Sequence, residues 1–246
     1  MSNSYLITHL ESVDSTNNYA TTLVNEKKAV DRQVVVAQFQ TNGKGHSNNC
    51  WSSEKGKNLM ISVILFPNYL KSIHQFKLSI CISLAVCDFL SQFLKNIKIK
   101  WPNDIYVNDK KICGILIENS MMGNYFYHAV AGIGININQQ EFDSILPNPT
   151  SVLLESNKQF DLDQMLHIFL SHLTARLTDL ENQEFDKLTD NYISQLYRFN
   201  TESEFLENGN RFRALIVGIG EIGQLILKEN NGHIRNFLFK EIEYII

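Results

Sequence analysis

A polar loop between two apolar segments carries the first residues that could bind an anion. It reads QTNGKGHSNNCWSSEKGKNL and covers residues 40–59. Gly43 and Gly45 would let a ligand approach the backbone closely, and Lys44 between them supplies a positive charge suited to a phosphate or a carboxylate. The glycine-to-Gly-Lys-Ser/Thr spacing of a phosphate-binding P-loop is missing. The loop alone leaves two interpretations open, a binding loop and a plain connection, and the connection is the commoner of the two.

A second candidate segment contains the sequence KWPNDIYVNDKK. Pro102 favours an extended conformation for the residue before it, just ahead of Asn103 and Asp104. An adjacent amide and carboxylate at the mouth of a strand can hold a hydrated Mg²⁺ ion, or a ribose and a phosphate. The structural alternative is a Trp-Pro turn with an Asx cap, which is common. The segment therefore predicts either a nucleotide and metal contact or an ordinary turn.

Glycines interrupt two further apolar strands. Lys111 precedes the nearly continuous apolar run ICGILIE, in which Gly114 marks either a close approach by a ligand or a bulge. The later run AGIGININ contains Gly132 and Gly134 and ends on the polar Asn136. Taken alone, this run is a core strand that enters a turn.

The sequence GIGEIG, residues 218–223, has the glycine spacing of a dinucleotide-binding fingerprint. That fingerprint needs a strand before it and a helix after it, whereas QLILKE follows here and alternates like a strand. We therefore predict a bend between two strands and no nucleotide site.

Short strands and a few helices must position these residues. Apolar residues at three- and four-residue steps predict a long core helix from Ser72 to Leu94, and further helices are expected at roughly 161–180 and 182–199. A helix should also begin near DSTNN, with Asp14 or Ser15 as its N-cap. Strands are predicted within SYLITHLESV, RQVVVAQFQ, NLMISVIL, IKIKW, DIYVN, ICGILIE and YFYHAVAGIGINI. Strand-rich sequence from about residue 203 predicts a small β module. The expectation is an α+β domain, residues 1–200, followed by a small β domain, residues 201–246.

Composition limits the function classes. The 246 residues are 44% hydrophobic and 20% charged, and the net charge of −4 with a pI of about 6.0 leaves no basic footprint for nucleic acid. The four cysteines form no Cys-x-x-Cys pair, so free thiols are expected rather than a zinc site. No signal peptide is visible, and the longest apolar window, around SICISLAVCDFL, is interrupted and too short to span a membrane. A soluble, cytoplasmic protein is expected.

The motifs DSTN, QTNGKGHSNNCW, KWPNDIYVNDKKICGILIE and GIGINI, taken in that order, resemble biotin protein ligases. The resemblance covers nearly the whole chain, and KWPND with K-x-x-G-I-L-x-E is its most specific part. It implies a class II synthetase-like catalytic fold, a mixed β-sheet with packed helices, and a C-terminal SH3-like domain. The implied reaction converts biotin and MgATP to biotinyl-5′-AMP and pyrophosphate, then passes biotin to a lysine of a biotin carboxyl carrier protein.

The resemblance also implies residue roles. Lys111 takes the place of the catalytic lysine that touches both carboxylate and phosphate, and Asp104 that of a metal contact. Trp51 corresponds to the aromatic residue against which adenine packs. The residues implied in binding biotin are Ser15, Thr16, Asn17, Gln40, Gly43, Lys44, Gly45, His46, Lys111 and Gly114. Those implied in binding ATP or the adenylate are Lys44, His46, Trp51, Asn103, Lys111 and Asn136.

The polar loop departs from the family pattern, Gly-Arg-Gly-Arg-x-Gly. Lys44 and His46 stand in the arginine positions and Asn48 in that of the third glycine. Lysine keeps the charge but loses the bidentate geometry, and histidine can be neutral at working pH. The loop is expected to close over biotin and its adenylate as a lid, and to hold the nucleotide and the adenylate less tightly than a lid with two arginines.

Other interpretations remain open. A lipoyl or octanoyl transferase would share the fold, and a biotin-binding module that has lost ligation would share the pocket. Because DSTN begins at residue 14, the resemblance points to the monofunctional form, without the DNA-binding domain of some members. A homodimer through an edge strand is also compatible with the sequence.

Overall fold

A seven-stranded mixed sheet carries the segments singled out in the sequence. The computed structural model describes residues 5–46 and 49–245. The strands lie in the order β1-β2-β3-β7-β6-β5-β4, with β1 parallel to β2 and every other neighbouring pair antiparallel. In chain order they are β1 (Ile7–Leu10), β2 (Gln33–Ala37), β3 (Leu59–Leu65), β4 (Ile97–Lys100), β5 (Asp104–Val107), β6 (Lys110–Met122) and β7 (Tyr125–Ile135).

Helices cover both faces of this sheet. On one face lie α2 (Gln75–Leu90), α4 (Leu162–Glu181) and α5 (Phe185–Ser194), and on the other lies α1 (Thr16–Asn25). Successive side chains of a strand point to opposite faces. In β3, Leu59, Ile61, Val63 and Leu65 therefore join the larger core under α2, whereas Ile64 packs towards α1. Met60 and Ser62 share the α1 side, which is the side of the candidate site.

Helix α2 lies at the centre of the larger core. With the short 3₁₀ turn before it, it forms a stretch from Ser72 to Leu90 with a mean hydropathy of 1.4, long and apolar enough to cross a membrane. The expectation that no apolar window is long enough was therefore wrong. The burial of α2 indicates a core helix, because 61% of the apolar window is buried and the helix packs against α4 and α5.

A second, antiparallel sheet follows the helices. Its strands lie in the order β11-β10-β9-β8-β12, and in chain order they are β8 (Ser203–Glu207), β9 (Asn210–Ile219), β10 (Leu225–Glu229), β11 (Ile234–Phe237) and β12 (Glu243–Tyr244). The GIGEIG segment joins β9 to its antiparallel partner β10. A strand therefore stands where a dinucleotide site needs a helix, and the predicted bend is confirmed.

The predicted helices differ from the observed ones mainly at their ends. Helix α5 stops at Ser194 rather than near residue 199, and Arg198 and Asn200 beyond it have positive φ angles of 58° and 53°. Ser15 occupies the N-cap position of α1, but its side chain makes no capping hydrogen bond. A short helix, α3 (Val152–Ser156), was not predicted. Its five residues are too few to show a helical period.

Trp101, which precedes Pro102 in a cis peptide bond, connects the two sheets. Its buried indole Nε1 donates a hydrogen bond of 2.9 Å to the backbone oxygen of Gly223. Trp101→Phe would leave that buried oxygen without its donor, so we expect a loss of about 1–3 kcal/mol in the free energy of unfolding. Urea denaturation measures this loss, with Tyr127→Phe at an exposed position as the control. Equal midpoints for both variants would contradict the expectation.

Candidate active site

A cavity of about 770 Å³ on the α1 side of the seven-stranded sheet brings most of the predicted residues together. Asn136 does not line it, because its amide is turned away and donates to the backbone oxygen of Thr150 at 3.0 Å. Gly43 is buried behind the lining, and Asn48 lies outside the described residues. The predicted residues that line the cavity are Ser15, Thr16, Asn17, Gln40, Lys44, Gly45, His46, Trp51, Asn103, Asp104, Lys111 and Gly114.

Glycines of β6 and β7 form the floor of the cavity. Gly114 and Gly134 are neighbours across the two strands, and the indole of Trp51 lies over both. A Cβ atom at Gly114 or Gly134 would come within 2.9 or 2.5 Å of that ring. At Gly132, two residues along β7, a Cβ atom would meet the side chain of Asn17. Because no side chains project here, a flat group can lie directly on the sheet.

Neutral polar side chains gather at the β3 end of the cavity. The backbone N–H of Thr16 donates to Gln40 Oε1 at 2.7 Å, and the Thr16 hydroxyl lies 3.0 Å from the same oxygen. Ser62 Oγ lies 2.6 Å from Asn17 Oδ1 and 2.8 Å from the Thr16 hydroxyl. Thr16, Asn17 and Ser62 are at most 4% exposed. A fixed set of buried neutral donors and acceptors can recognise a polar, uncharged ring such as a cyclic amide or urea.

Ser62 was not among the residues predicted from the sequence. A signal for it exists, because it is the single hydroxyl residue in the apolar run LMISVIL. It is fully buried behind the lining, and its hydroxyl contacts the side chains of Thr16 and Asn17, which line the cavity.

Lys111 and Asp104 provide an ion pair at the β5–β6 end. Lys111 Nζ lies 2.7 Å from Asp104 Oδ1 and 5.8 Å from the centroid of the Trp51 ring. Both charged side chains keep partial solvent access, 34% for the lysine and 20% for the aspartate. A cation placed beside a flat aromatic surface can hold the anionic part of a nucleotide whose base stacks on that surface.

Two further lysines contribute positive charge. Lys44 Nζ lies 3.2 Å from Glu118 Oε1. Lys100 lies over the rings of Tyr106 and Tyr244, at 5.2 and 5.1 Å from their centroids, and burial lowers its pKa below the ordinary value. Lys100 was also missed, since a lysine in an alternating strand is ordinarily a solvated residue.

The C-terminal segment closes one side of the cavity. The imidazole of His46 meets the ring of Phe239 edge-on, with 4.1 Å between centroids. Burial lowers the pKa of His46, the charge of Lys240 lowers it further, and Asp104 opposes both. These contacts join residues almost two hundred positions apart, which no local pattern predicts. The lining residues from this segment are Phe239, Lys240, Ile242, Glu243 and Tyr244.

Within the described ranges, no three His, Cys, Asp or Glu side chains come together as a metal site. Asp104 is the carboxylate that lines the cavity beside Lys111, and the amide of the adjacent Asn103 donates to the backbone oxygen of Ile115 at 2.7 Å. One carboxylate suits Mg²⁺ that arrives with phosphate ligands, because this ion commonly takes only one or two ligands from the protein.

Comparison with known proteins agrees with this arrangement. Residues 9–136 match the profile described as the biotin/lipoate A/B protein ligase family. The bifunctional ligase/repressor BirA of Bacillus subtilis (strain 168) is 30% identical over 233 residues, 93% of this chain and 70% of that protein. Human biotin–protein ligase is 30% identical over 218 residues, 82% of this chain and 29% of that protein. The structure of the Aquifex aeolicus biotin protein ligase with biotin and ATP superimposes with a TM-score of 0.81 at 25% identity, covering 98% of this chain and 99% of that one.

Proposed function

The chain belongs to the biotin/lipoate A/B protein ligase family, and from that premise we propose that its cavity is where biotin and ATP react. The protein is an ATP-dependent biotin–protein ligase, which activates biotin as biotinyl-5′-AMP and transfers it to a protein. One observation carries the assignment of the site: a single cavity is lined at one end by Thr16, Asn17 and Gln40 of the neutral cluster and at the other end by the Lys111–Asp104 pair. Biotin has that same polarity, with a neutral ureido ring and an anionic carboxylate.

In the first step an oxygen of the biotin carboxylate attacks the α-phosphorus of ATP. The bond from that phosphorus to the β-phosphate oxygen breaks, and pyrophosphate leaves. Two anions must approach each other, so the transition state gains most from a fixed cation beside the forming bond. We assign that role to Lys111, with the adenine stacked on Trp51 and the ureido ring on Ser15, Thr16, Asn17 and Gln40.

In the second step the amine of an acceptor lysine attacks the acyl carbon of the adenylate, and AMP leaves. A biotin carboxyl carrier protein or domain is the acceptor we propose. The amine must lose a proton before or during the attack, and Asp104 is the carboxylate at the reacting end of the cavity. The fixed ring of biotin leaves only its acyl end exposed to the incoming lysine.

We also assign a Mg²⁺ ion to this site, brought in with the phosphates of ATP. Asp104 would hold it, because its carboxylate lines the cavity beside Lys111 and carboxylate oxygens are ligands that Mg²⁺ prefers. When bound, the ion would neutralise charge on the β- and γ-phosphates. Lys111 would then act on the α-phosphate.

The assignments of cellular location, domain roles and oligomeric state rest on membership of the same family. The enzyme is soluble, and we place it in the cytoplasm, where ATP and carrier proteins are available. We assign catalysis to residues 1–200 and treat residues 201–246 as an SH3-like domain that supplies one side of the cavity. A homodimer is compatible with the edge strand β1.

Pyrophosphate release tests the function directly. With MgATP, we expect biotin to trigger release and lipoate or octanoate to give at most about one hundredth of that rate. An acyl chain without a ureido ring leaves the buried donors and acceptors unpaired, which costs more than the lost contact alone. Faster release with lipoate or octanoate would favour the lipoyl or octanoyl alternative, in a form that activates the free acid with ATP. Biotin binding without any pyrophosphate release would favour the non-catalytic module.

The lid histidine gives a further prediction. Because its pKa is lowered, His46 is neutral at neutral pH and offers the adenylate no charge. We expect His46→Arg to slow the release of biotinyl-5′-AMP by about threefold to tenfold, the effect of one added surface-accessible charge pair. In the wild type, release should slow as the pH falls through the pKa of His46, and the arginine variant should lose this dependence. Stopped-flow measurement of adenylate release between pH 5 and 8 gives both results. Equal rates and equal pH profiles would show that position 46 does not hold the adenylate.

A further inference from the structure

Glu118 lies between the lid and the neutral cluster, and no role for it follows from the reaction just described. One oxygen, Oε2, accepts a hydrogen bond of 2.8 Å from the amide nitrogen of Asn17. The other, Oε1, lies 3.2 Å from the ammonium of Lys44. The Glu118 and Lys44 side chains are each 40% exposed, whereas Asn17 is 3% exposed. A half-exposed carboxylate therefore reaches a buried amide at the base of the cavity.

The carboxylate determines which way the amide of Asn17 points. An ionised carboxylate can only accept hydrogen bonds, so the NH₂ group of Asn17 must face Glu118. The backbone oxygen of Leu116, 3.4 Å from the same nitrogen, is also an acceptor and favours the same orientation. The oxygen of Asn17 is then directed at Ser62, whose hydroxyl donates to it at 2.6 Å.

The hydrogen bond from Ser62 to Asn17 also determines how the other hydroxyl of the cluster is oriented. Once Ser62 donates its single proton to Asn17, it can only accept from the Thr16 hydroxyl, 2.8 Å away. The Thr16 hydroxyl then turns its one proton towards Ser62, and Gln40 Oε1 keeps the hydrogen bond of 2.7 Å from the Thr16 backbone N–H. A carboxylate outside the cavity lining thus sets the donors and acceptors that Thr16, Asn17 and Gln40 offer to an uncharged ring.

We propose that Glu118 is a positioning residue for biotin, which orients Asn17 and through it the hydroxyls that bind the ureido ring. This rests on the proposed function, because it takes biotin to be the ligand of the cluster. Its pair with Lys44 adds a weaker link to the lid, since an exposed ion pair contributes little. The effect of Glu118 therefore falls on biotin rather than on ATP.

Glu118→Gln tests this with almost no change in shape. Glutamine can donate as well as accept, so it no longer forces one orientation on Asn17. We expect the Kd for biotin, measured by isothermal titration calorimetry without ATP, to rise about tenfold, the loss of a charge-assisted hydrogen bond. The KM for ATP and the kcat for pyrophosphate release at saturating biotin should stay within about twofold of the wild type.

Glu207→Gln is the matched control. Glu207 pairs with Arg235 in the second sheet, 2.6 Å away, so the substitution removes an equally charged group that does not line the cavity. We expect wild-type values for biotin and ATP. An unchanged biotin Kd in Glu118→Gln, or an equal rise in the KM for ATP, would overturn the positioning role while the wild-type reaction stands. A wild type that neither binds biotin nor releases pyrophosphate would overturn the proposed function as well.

Discussion

Lys111→Ala is expected to lower the rate of adenylate formation by about 10²- to 10³-fold, the usual cost of removing one fixed group that stabilises transition-state charge. Two effects act together. The cation that offsets the charge of carboxylate and α-phosphate is lost, and Asp104, whose carboxylate lies 2.7 Å from the ammonium, is left without its partner beside the incoming phosphates. The fold should survive, because Lys111 is about one third exposed and stands at the edge of the core.

Lys110→Ala is the control for this prediction. Lys110 is the neighbouring residue of β6, is exposed, and pairs with Glu155 at 3.4 Å, away from the cavity lining. Single-turnover pyrophosphate release with biotin and ATP compares the two variants, and circular dichroism checks that both are folded. If Lys111→Ala keeps more than about a tenth of the wild-type rate, the role given to Lys111 is wrong. Lys111→Arg should recover part of the rate, because charge is restored without the same geometry.

Motif chemistry predicted most of the residues that line the cavity because most of the motifs lie at the end of a strand or in the loop that follows it. The alternation of β3 and β7 fixes which side chains face the cavity, and that alternation is visible in the sequence. The sequence left Gly114 open between close approach and a bulge, and it indicated only a core strand around Gly132 and Gly134; the structure places all three glycines at the floor. For the motif residues that line the cavity, local sequence carries most of the information.

Other parts of the site depend on contacts that local sequence does not contain. The positioning role of Glu118 could not be predicted, because it depends on a hydrogen bond with Asn17, about one hundred residues earlier in the chain. The contact between His46 and Phe239 depends on how the second sheet sits against the first. Asn136 was predicted as a ligand contact but does not line the cavity. Its amide donates instead to the backbone oxygen of Thr150.

Gly132→Ala is expected to raise the Kd for biotin about 100-fold while the protein stays folded. The added Cβ atom would lie closer than 3.0 Å to the Asn17 side chain. Asn17 cannot move aside freely, because Ser62 holds its oxygen and Glu118 its nitrogen. The methyl group therefore disturbs the whole neutral cluster, and a buried network loses more than one hydrogen bond when one member shifts. In the interior of a strand, alanine costs less conformational entropy than glycine, but the disturbed buried hydrogen bonds outweigh this gain. We therefore expect the free energy of unfolding to fall by about 1–3 kcal/mol, with the protein still folded at 25 °C.

Gly218→Ala separates the clash from the general effect of adding a methyl group to a strand glycine. Gly218 lies in β9 of the second sheet, where a Cβ atom would meet only Ile226 at an ordinary 3.9 Å. We expect wild-type biotin affinity in this variant, measured by titration calorimetry beside Gly132→Ala. Equal affinity in both variants would mean that Asn17 can retreat from β7 without cost. The binding of the ureido ring would then not depend on the position of Asn17, and the neutral cluster would have to act through Thr16 and Gln40 alone.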